Sequence, residues 1–164
     1  ATVLSNIGLD DYLSREKMKL YRTNVGDRYV SQFMRENGFN IGGEQSGHII
    51  LGDYSTTGDG LLAAIQILSI MKKSNKKISE LARLIKIVPQ IQRNYKINDY
   101  EKINIEDINE IHKMGQERIK EKGRVLVRLS GTEPLIRVMG ESQDKQYLNQ
   151  TLDYLMELIE KRFN

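Results

Sequence analysis

Residues 124–139 read RVLVRLSGTEPLIRVM, and this stretch decides the fold of the second half of the chain. Aliphatic residues dominate Arg124 to Leu129 and Leu135 to Met139, whereas the residues between these runs are small or polar. Short apolar runs that are separated by Gly and Pro predict two strands joined by a loop. We therefore expect two neighbouring strands of a small sheet here.

The segments on either side of residues 124–139 extend the same module. Gln90 to Ile97 looks extended. Two stripes at helical spacing follow the pattern of amphipathic helices, namely Ile105, Ile108, Ile111, Gly115 and Ile119, and then Leu148, Leu152, Leu155 and Ile159. The order strand, helix, strand, strand, helix predicts an α+β domain at residues 87–164, with its helices packed on one face of an antiparallel sheet.

The first half, residues 1–86, alternates short apolar runs with amphipathic stretches, which predicts an α/β domain. The chain begins inside the strand-like segment around Val3, so we expect further sequence upstream. His48 to Leu51 predicts a strand. Leu61 to Met71 is apolar almost all round and predicts a buried helix, which Thr57 or Asp59 would cap.

Composition excludes several classes of protein. The 164 residues are 39% hydrophobic, which suits packed cores, and the absence of Cys excludes disulfides and thiolate metal sites and favours a reducing compartment such as the cytoplasm. No apolar run approaches the roughly 20 residues that cross a bilayer, and no signal-peptide pattern opens the chain, so we expect no membrane partner. With 25 basic and 22 acidic residues, without clustered aromatics on the strands, we expect no nucleic-acid partner.

The loop between the last two strands has the residue types that a phosphate requires. Arg128 offers a planar charged fork, Ser130 and Thr132 add hydroxyl donors, and Gly131 lets backbone amides approach an anion. Arg137, on the following strand, is a further candidate cation. The alternative interpretation is an ordinary hairpin loop whose small residues make turn hydrogen bonds.

A second polar loop, residues 43–48, reads GEQSGH and precedes an apolar run. Glu44, Ser46 and His48 combine acceptors with a hydroxyl donor on a loop that is flanked by glycines, and this combination suits a ligand rich in hydroxyl groups, such as a sugar. The alternative is a polar turn in which His48 is satisfied locally at a strand edge.

Three other features have simpler interpretations. The TTGDG segment, residues 56–60, precedes a helix but lacks the Lys and glycine spacing of a phosphate cradle, which favours helix capping. Residues 26–29, GDRY, also read as a helix start, although Arg28 stays a possible ligand contact. His112 lies beside an apolar helix stripe without His or Cys at metal spacing, which indicates a packed histidine.

Taken in order, VGDRYV, GEQSGH, TTGDG and RLSGTEPLIRVMGE resemble the carboxy-terminal part of the phosphohexomutase superfamily, and most closely its bacterial phosphoglucosamine mutases. The resemblance spans nearly the whole chain. At position 45 this chain resembles the glucosamine enzymes. Phosphomannomutases and phosphoglucomutases that share this loop often have Met at that position, whereas this chain has Gln45.

The resemblance implies a four-domain enzyme that interconverts glucosamine 6-phosphate and glucosamine 1-phosphate through a phosphoserine and a bisphosphate intermediate. Residues 1–86 would form most of the third, sugar-binding domain, and residues 87–164 the fourth, phosphate-binding domain. The residues carried over are Glu44 and Ser46 at the sugar hydroxyls with His48 nearby, and Arg128, Ser130, Gly131 and Thr132, with Arg137, around the phosphate that is not reacting.

The family's SHNP-type serine loop and its DGDxDR-type magnesium loop do not occur in this sequence. We therefore expect no catalytic residue and no metal in this chain, which alone would be inactive, and Mg²⁺ only in the full-length enzyme. The implied partners are a hexosamine phosphate and the missing amino-terminal domains. The alternatives are a non-catalytic sugar-phosphate-binding module, or a phosphomannomutase or phosphoglucomutase. The oligomeric state is not predicted.

Overall fold

A computed structural model describes residues 1–97, 103–131 and 133–163. The chain forms two compact units, Ala1–Ile87 and Val88–Asn164. Both units mix helices with a small antiparallel sheet, which confirms the predicted combination of α/β and α+β structure.

The first unit contains four helices and a two-stranded sheet. In chain order these are α1 (Ile7–Arg15), α2 (Asp27–Asn37), β1 (Ile41–Gly43), β2 (Ile49–Leu51), α3 (Gly60–Ser74) and α4 (Ile78–Leu81). The two strands are antiparallel, and Gly42 pairs with Ile50. Val30 and Met34 of α2 pack with Ile50 of β2 in a small buried cluster, so α2 covers one side of the strand pair.

Capping residues explain where α3 begins and ends. The Asp59 carboxylate accepts a hydrogen bond from the Leu62 N–H over 3.0 Å, which confirms one of the two predicted caps and satisfies an amide that the helix itself leaves unpaired. Asn75 adopts the left-handed conformation that commonly ends a helix. The TTGDG segment thus acts as a helix start, as its composition indicated.

The predicted strand around Val3 is wrong. Thr2 forms an isolated parallel bridge with Thr23, and Val3 and Leu4 lie in a turn. A strand needs a ladder of backbone hydrogen bonds to a neighbour, and in this unit the contact with Thr23 is limited to single bonds around Thr2.

The prediction that the apolar helix α3 is buried is also wrong. Of its residues Ala63 is buried, whereas Leu61, Ile65 and Leu68 are 74%, 53% and 61% exposed. These three lie at positions i, i+4 and i+7, and so they form one apolar stripe on the solvent side. Apolar composition predicts that such a surface is covered, but it does not say which segment covers it.

A cavity of about 560 Å³ in the first unit is also lined mainly by apolar side chains, including Leu9, Leu13, Phe33 and Met34. Interiors of folded proteins are normally close-packed, with few voids larger than a water molecule. The cavity and the stripe on α3 therefore indicate that the described part of this unit leaves apolar surface uncovered.

The second unit is a three-stranded antiparallel sheet with two long helices. In chain order it comprises β3 (Gln90–Lys96), α5 (Ile105–Ile119), a 3-10 turn (Lys120–Lys122), β4 (Gly123–Leu129), β5 (Leu135–Ser142) and α6 (Lys145–Phe163). The strand order is β3-β5-β4, so the last strand lies in the centre. These elements match the predicted strand, helix, strand, strand, helix order.

Alternation along β5 separates two faces of this sheet. Ile136 and Val138 are fully buried in the core that also holds Leu152 and Leu155 of α6. Gly140 lies on the same face as these residues of β5. A Cβ added there would lie 2.6 Å from Leu148 Cδ1, so α6 packs closely at this point. The intervening side chains of β5 point to the opposite face, which we call the open face for its partly exposed Arg137, although Glu141 on the same face is buried.

His112 of α5 caps the outer edge of this sheet. The Val127 N–H of the edge strand β4 donates to His112 Nδ1 over 3.4 Å, an interaction that requires this nitrogen to be unprotonated. Burial lowers the pKa of His112 below its usual value. The histidine is therefore packed and bonded to the backbone, as its position beside the apolar stripe indicated.

We expect the second unit to lose stability as the pH falls below about 6.5. The pKa of His112 lies near 6.5 in the unfolded chain and below that value in the folded chain. Between these two pKa values the unfolded chain binds more protons than the folded chain, so the folded state loses stability as the pH falls. The stabilisation is complete only above the pKa of the unfolded chain. Urea unfolding at pH 7.5 and 5.5 measures the effect. His112→Gln should reduce the difference, whereas His48→Gln should retain it. An equal difference in wild type and His112→Gln would contradict the assignment.

Among the described residues, none of the helices has both the length and the apolar character needed to cross a bilayer.

Candidate functional site

Arg128 and Arg137 lie directly opposite each other on the open face of the second unit. Arg128 is near the end of β4, Arg137 near the start of β5, and the antiparallel register pairs the two residues. Cβ atoms of directly paired residues are about 4.5–5.5 Å apart, and like charges at that spacing destabilise a sheet. The sequence thus places two permanent cations where folding alone disfavours them.

The surroundings of these arginines do not fully compensate their charge. Burial, and secondarily the charge of Arg137, lower the pKa of the Arg128 guanidinium. Glu133 forms an ion pair with Arg137, and its carboxylate is half exposed. Among the described residues, Arg137 Nε is buried without a hydrogen-bond partner. Unpaired donors and excess positive charge are what an anion would satisfy.

The β4–β5 loop, residues 130–134, lies next to the two arginines. The Ser130 N–H donates to Leu135 O over 2.8 Å, which closes the loop, and Ser130 is buried. Gly131 is exposed, and a Cβ added there would meet nothing within 4 Å, so its backbone borders open space. The predicted contact Thr132 lies outside the described residues. The structure thus brings Arg128, Arg137, Ser130 and Gly131 to one end of the sheet.

The 43–48 loop connects β1 to β2 in the first unit. The Glu44 N–H donates to His48 O over 3.0 Å, and the Gly47 N–H donates to Glu44 O over 3.1 Å, so the loop is a closed turn. Gly47 has a φ of 101°, which L side chains rarely adopt, and this explains the glycine before His48.

The three predicted side chains of this loop converge on one ring nitrogen. His48 Nδ1 lies 3.1 Å from Glu44 Oε1 and 3.0 Å from Ser46 Oγ. The carboxylate of an ionised Glu44 can only accept a hydrogen bond, so the arrangement favours a proton on Nδ1 of His48. The side chain of His48 is 55% exposed and that of Glu44 only 9%, so His48 and Ser46 present the accessible part of the cluster.

Two contacts that hold this loop were not predicted. The Gly26 N–H at the start of α2 donates to Glu44 Oε2 over 3.3 Å. The hydroxyl of the fully buried Thr2 donates to Gln45 Oε1 over 3.2 Å. Gly26 and Thr2 are distant in sequence from the loop that they hold, and no motif marks either of them, so no sequence pattern could have identified these contacts.

Arg28 belongs to a different environment. Its guanidinium stacks on the Tyr29 ring, 4.5 Å from the centroid, and donates to the Tyr29 hydroxyl over 2.6 Å. With Asp27, Ser31 and Arg35 it lines a cavity of about 250 Å³ at the first turns of α2. The structure therefore leaves Arg28 separate from the cluster of Glu44, Ser46 and His48.

Within residues 1–97, 103–131 and 133–163, no group of three or more His, Asp or Glu side chains could hold a metal ion. Magnesium prefers several oxygen ligands in octahedral geometry. The described residues therefore do not fit a magnesium site.

Two domain families match the sequence. The alpha/beta/alpha domain III of phosphoglucomutases and phosphomannomutases matches residues 1–88, and their C-terminal domain matches residues 70–158.

Phosphoglucosamine mutases are among the similar curated proteins. The enzyme of Clostridium tetani is 52% identical over 165 residues, and that of Parvibaculum lavamentivorans is 47% identical over 160 residues. Both alignments cover 98% of this chain but only 37% and 36% of the relative. The chain thus spans just over a third of the length of these relatives and matches their C-terminal part.

Solved structures share the fold at low identity. An Aspergillus fumigatus N-acetylphosphoglucosamine mutase matches with a TM-score of 0.80 at 16% identity, over 99% of this chain and 38% of that protein. A structure of the same fungal enzyme with GlcNAc-6P and magnesium matches with a TM-score of 0.72 at 16% identity, over 96% of this chain and 40% of that protein.

Proposed function

Since this chain belongs to the phosphoglucomutase/phosphomannomutase family, we propose that it supplies the sugar-binding and phosphate-binding parts of a phosphoglucosamine mutase. The whole enzyme would interconvert glucosamine 6-phosphate and glucosamine 1-phosphate. Identities of 45–52% to phosphoglucosamine mutases support this substrate class. Gln45, where phosphomannomutases and phosphoglucomutases often have Met, supports the same choice.

The pairing of Arg128 with Arg137 is the single observation that carries the proposal. Two cations face each other on adjacent strands, with a half-exposed Glu133 as the carboxylate beside them. A phosphate ester would accept from both guanidinium groups and from the Gly131 backbone. Ser130 and Thr132 would complete this site, the Ser130 hydroxyl from its buried position at the loop's start.

In the first unit, the proposed ligand is the sugar ring. Ser46 and His48 would meet the hydroxyl or amino groups directly, and Glu44 would accept from them with the lone pairs that Gly26 and His48 leave unused. Because Glu44 is largely buried, its first effect is to orient His48. Arg28 stays a candidate for an outlying contact with the ligand.

Phosphoryl transfer itself would occur on groups outside these residues. Transfer from a phosphoserine, and return through a bisphosphate, requires a nucleophile and a charge-neutralising metal, and the described residues do not fit magnesium. What this chain contributes is positioning and electrostatic stabilisation, which is the larger part of catalysis in phosphoryl transfer. The chain alone should therefore bind without turnover. We propose the cytoplasm as its compartment.

We propose that the partner of this chain is the amino-terminal part that its relatives possess. The solvent-facing stripe of Leu61, Ile65 and Leu68 on α3 supports this proposal, because exposed apolar stripes mark interaction surfaces. The relatives are also nearly three times as long as the matched segment.

Complementation tests the proposed function. Joining residues 1–164 to the amino-terminal remainder of the Clostridium tetani mutase should give a chimaera that converts glucosamine 6-phosphate faster than glucose 6-phosphate or mannose 6-phosphate. A phosphomannomutase or phosphoglucomutase would reverse that preference. A folded chimaera that binds glucosamine 6-phosphate without converting it would favour a stand-alone binding module instead.

Variants of α3 test the proposed interface with the amino-terminal part. Leu61→Gln and Leu68→Gln change exposed side chains, so the stability of the isolated chain should change by no more than about 0.5 kcal/mol. A second experiment mixes residues 1–164 with the amino-terminal part as separate chains. The mutase activity that this mixture restores should fall strongly in both variants, because a polar stripe no longer favours association. Lys73→Gln on the same helix should have little effect on either quantity.

A further inference from the structure

The row that holds Arg128 and Arg137 continues onto the third strand of the sheet. The register of β3 and β5 places Asn94 opposite Arg137, just as the register of β4 and β5 places Arg128 opposite Arg137. Directly opposite residues lie on the same face. The order Asn94, Arg137, Arg128 therefore forms one row across the open face, with Arg137 in the middle.

The fold does not require an amide at this position. Asn is depleted in strands because its side chain competes for backbone hydrogen bonds. Asn94 is exposed, and its side chain forms no hydrogen bond with the described residues. The next residue on the same face, Lys96, is also exposed and adds positive charge towards the β4–β5 loop.

We propose that Asn94 is a further ligand of the bound phosphate, which would lie over β5 between the side chains of Asn94 and Arg128. The amide NH₂ of Asn94 would donate to one phosphate oxygen, while the two guanidinium groups bind the others. This inference rests on the proposed phosphate site, and it extends that site from two strands to all three.

The test is calorimetric titration of residues 1–164 with glucosamine 6-phosphate and, separately, with inorganic phosphate. Asn94→Leu removes the donor at similar volume and should weaken both ligands about 10-fold, as expected for one hydrogen bond to a charged group. Asn94→Asp places a carboxylate against the anion and should weaken them further, about 100-fold. Thermal unfolding should show that both variants remain folded, because the side chain is exposed.

Gln92→Leu is the matched control. Gln92 is an exposed amide on the same strand and the same face, but it lies opposite Met139, one row away from Arg137. Its replacement should change affinity by less than about 2-fold, since it removes no contact with the anion.

The outcomes separate this inference from the proposed function. Equal affinities for wild type, Asn94→Leu and Asn94→Asp would overturn the role of Asn94. The phosphate site would still stand in that case if the substitution Arg128→Met weakens binding. Equal losses of affinity in Asn94→Leu and Gln92→Leu would also overturn the role of Asn94, because any change to an exposed amide on this face would then weaken binding. Wild type that binds neither probe would refute the phosphate site itself.

Discussion

Arg128→Met should weaken the binding of glucosamine 6-phosphate by about 10- to 150-fold, the range expected for losing a charge-assisted contact worth about 1.5–3 kcal/mol. The same change should leave the stability of the second unit unchanged or slightly raised, because it removes one of two like charges that face each other across β4 and β5. Titration calorimetry gives the affinity, and urea unfolding gives the stability.

Opposite effects on binding and stability distinguish a ligand site from a structural one. Arg128→Lys keeps the charge but loses the planar fork, so its affinity should fall between those of wild type and Arg128→Met. Arg118→Met on α5 is the matched control, since Arg118 stacks on Tyr154 away from the β4–β5 loop. A destabilised Arg128→Met protein with unchanged affinity would contradict the assignment and favour an ordinary hairpin loop.

Glu141→Ala should destabilise the second unit by about 3–5 kcal/mol, the cost of breaking a buried ion pair. Glu141 is fully buried on the central strand, and its carboxylate accepts from Arg124 over 2.8 Å and from Gln90 over 2.7 Å. Because Arg124 and Gln90 lie opposite Glu141 on the two outer strands, the three residues join the whole sheet. Urea unfolding, with hydrogen exchange to locate the change, measures the loss.

Two further variants serve as controls for Glu141→Ala. Asp153→Ala removes the exposed partner of Arg93 and should cost no more than about 1 kcal/mol. Replacing the buried pair together, as Glu141→Leu with Arg124→Met, should recover much of the stability lost in Glu141→Ala, since no unpaired charge is then left inside. A loss below 1 kcal/mol in Glu141→Ala would show that the buried pair does not hold the strands together.

The elements of the second unit were predictable because each carries its own periodicity. Apolar residues of β5 and most of the isoleucine stripe of α5 are buried in one core within the unit, so local pattern and tertiary structure agree there, although Ile105 at the start of α5 is exposed. The position of Gly140 against Leu148 follows from the same close packing, although no sequence pattern indicated that particular contact.

The environment of α3 was not predictable from its own sequence. Its apolar residues correctly predict a helix, but the predicted burial is wrong, because the described residues cover little of the helix. The segment around Val3 failed for a related reason, because a strand depends on a partner ladder that local sequence does not specify. Both errors concern contacts with other segments.

The candidate site was predictable at the level of residue types and less so at the level of contacts. Arg128, Gly131 and Arg137 lie together because the loop between two strands keeps its ends adjacent. The anchoring of Gln45 by Thr2 joins residues far apart in sequence, and only the folded chain reveals it. Asn94 could have been found from strand parity once the pairing of β3 with β5 was known.

The most direct test of the central claim is titration of residues 1–164 with glucosamine 6-phosphate and with glucosamine under identical conditions. A site built around Arg128 and Arg137 predicts saturable binding of the phosphorylated sugar and little heat from the free sugar. Equal heats from the two ligands would show that the phosphate group is not recognised, and would contradict the account.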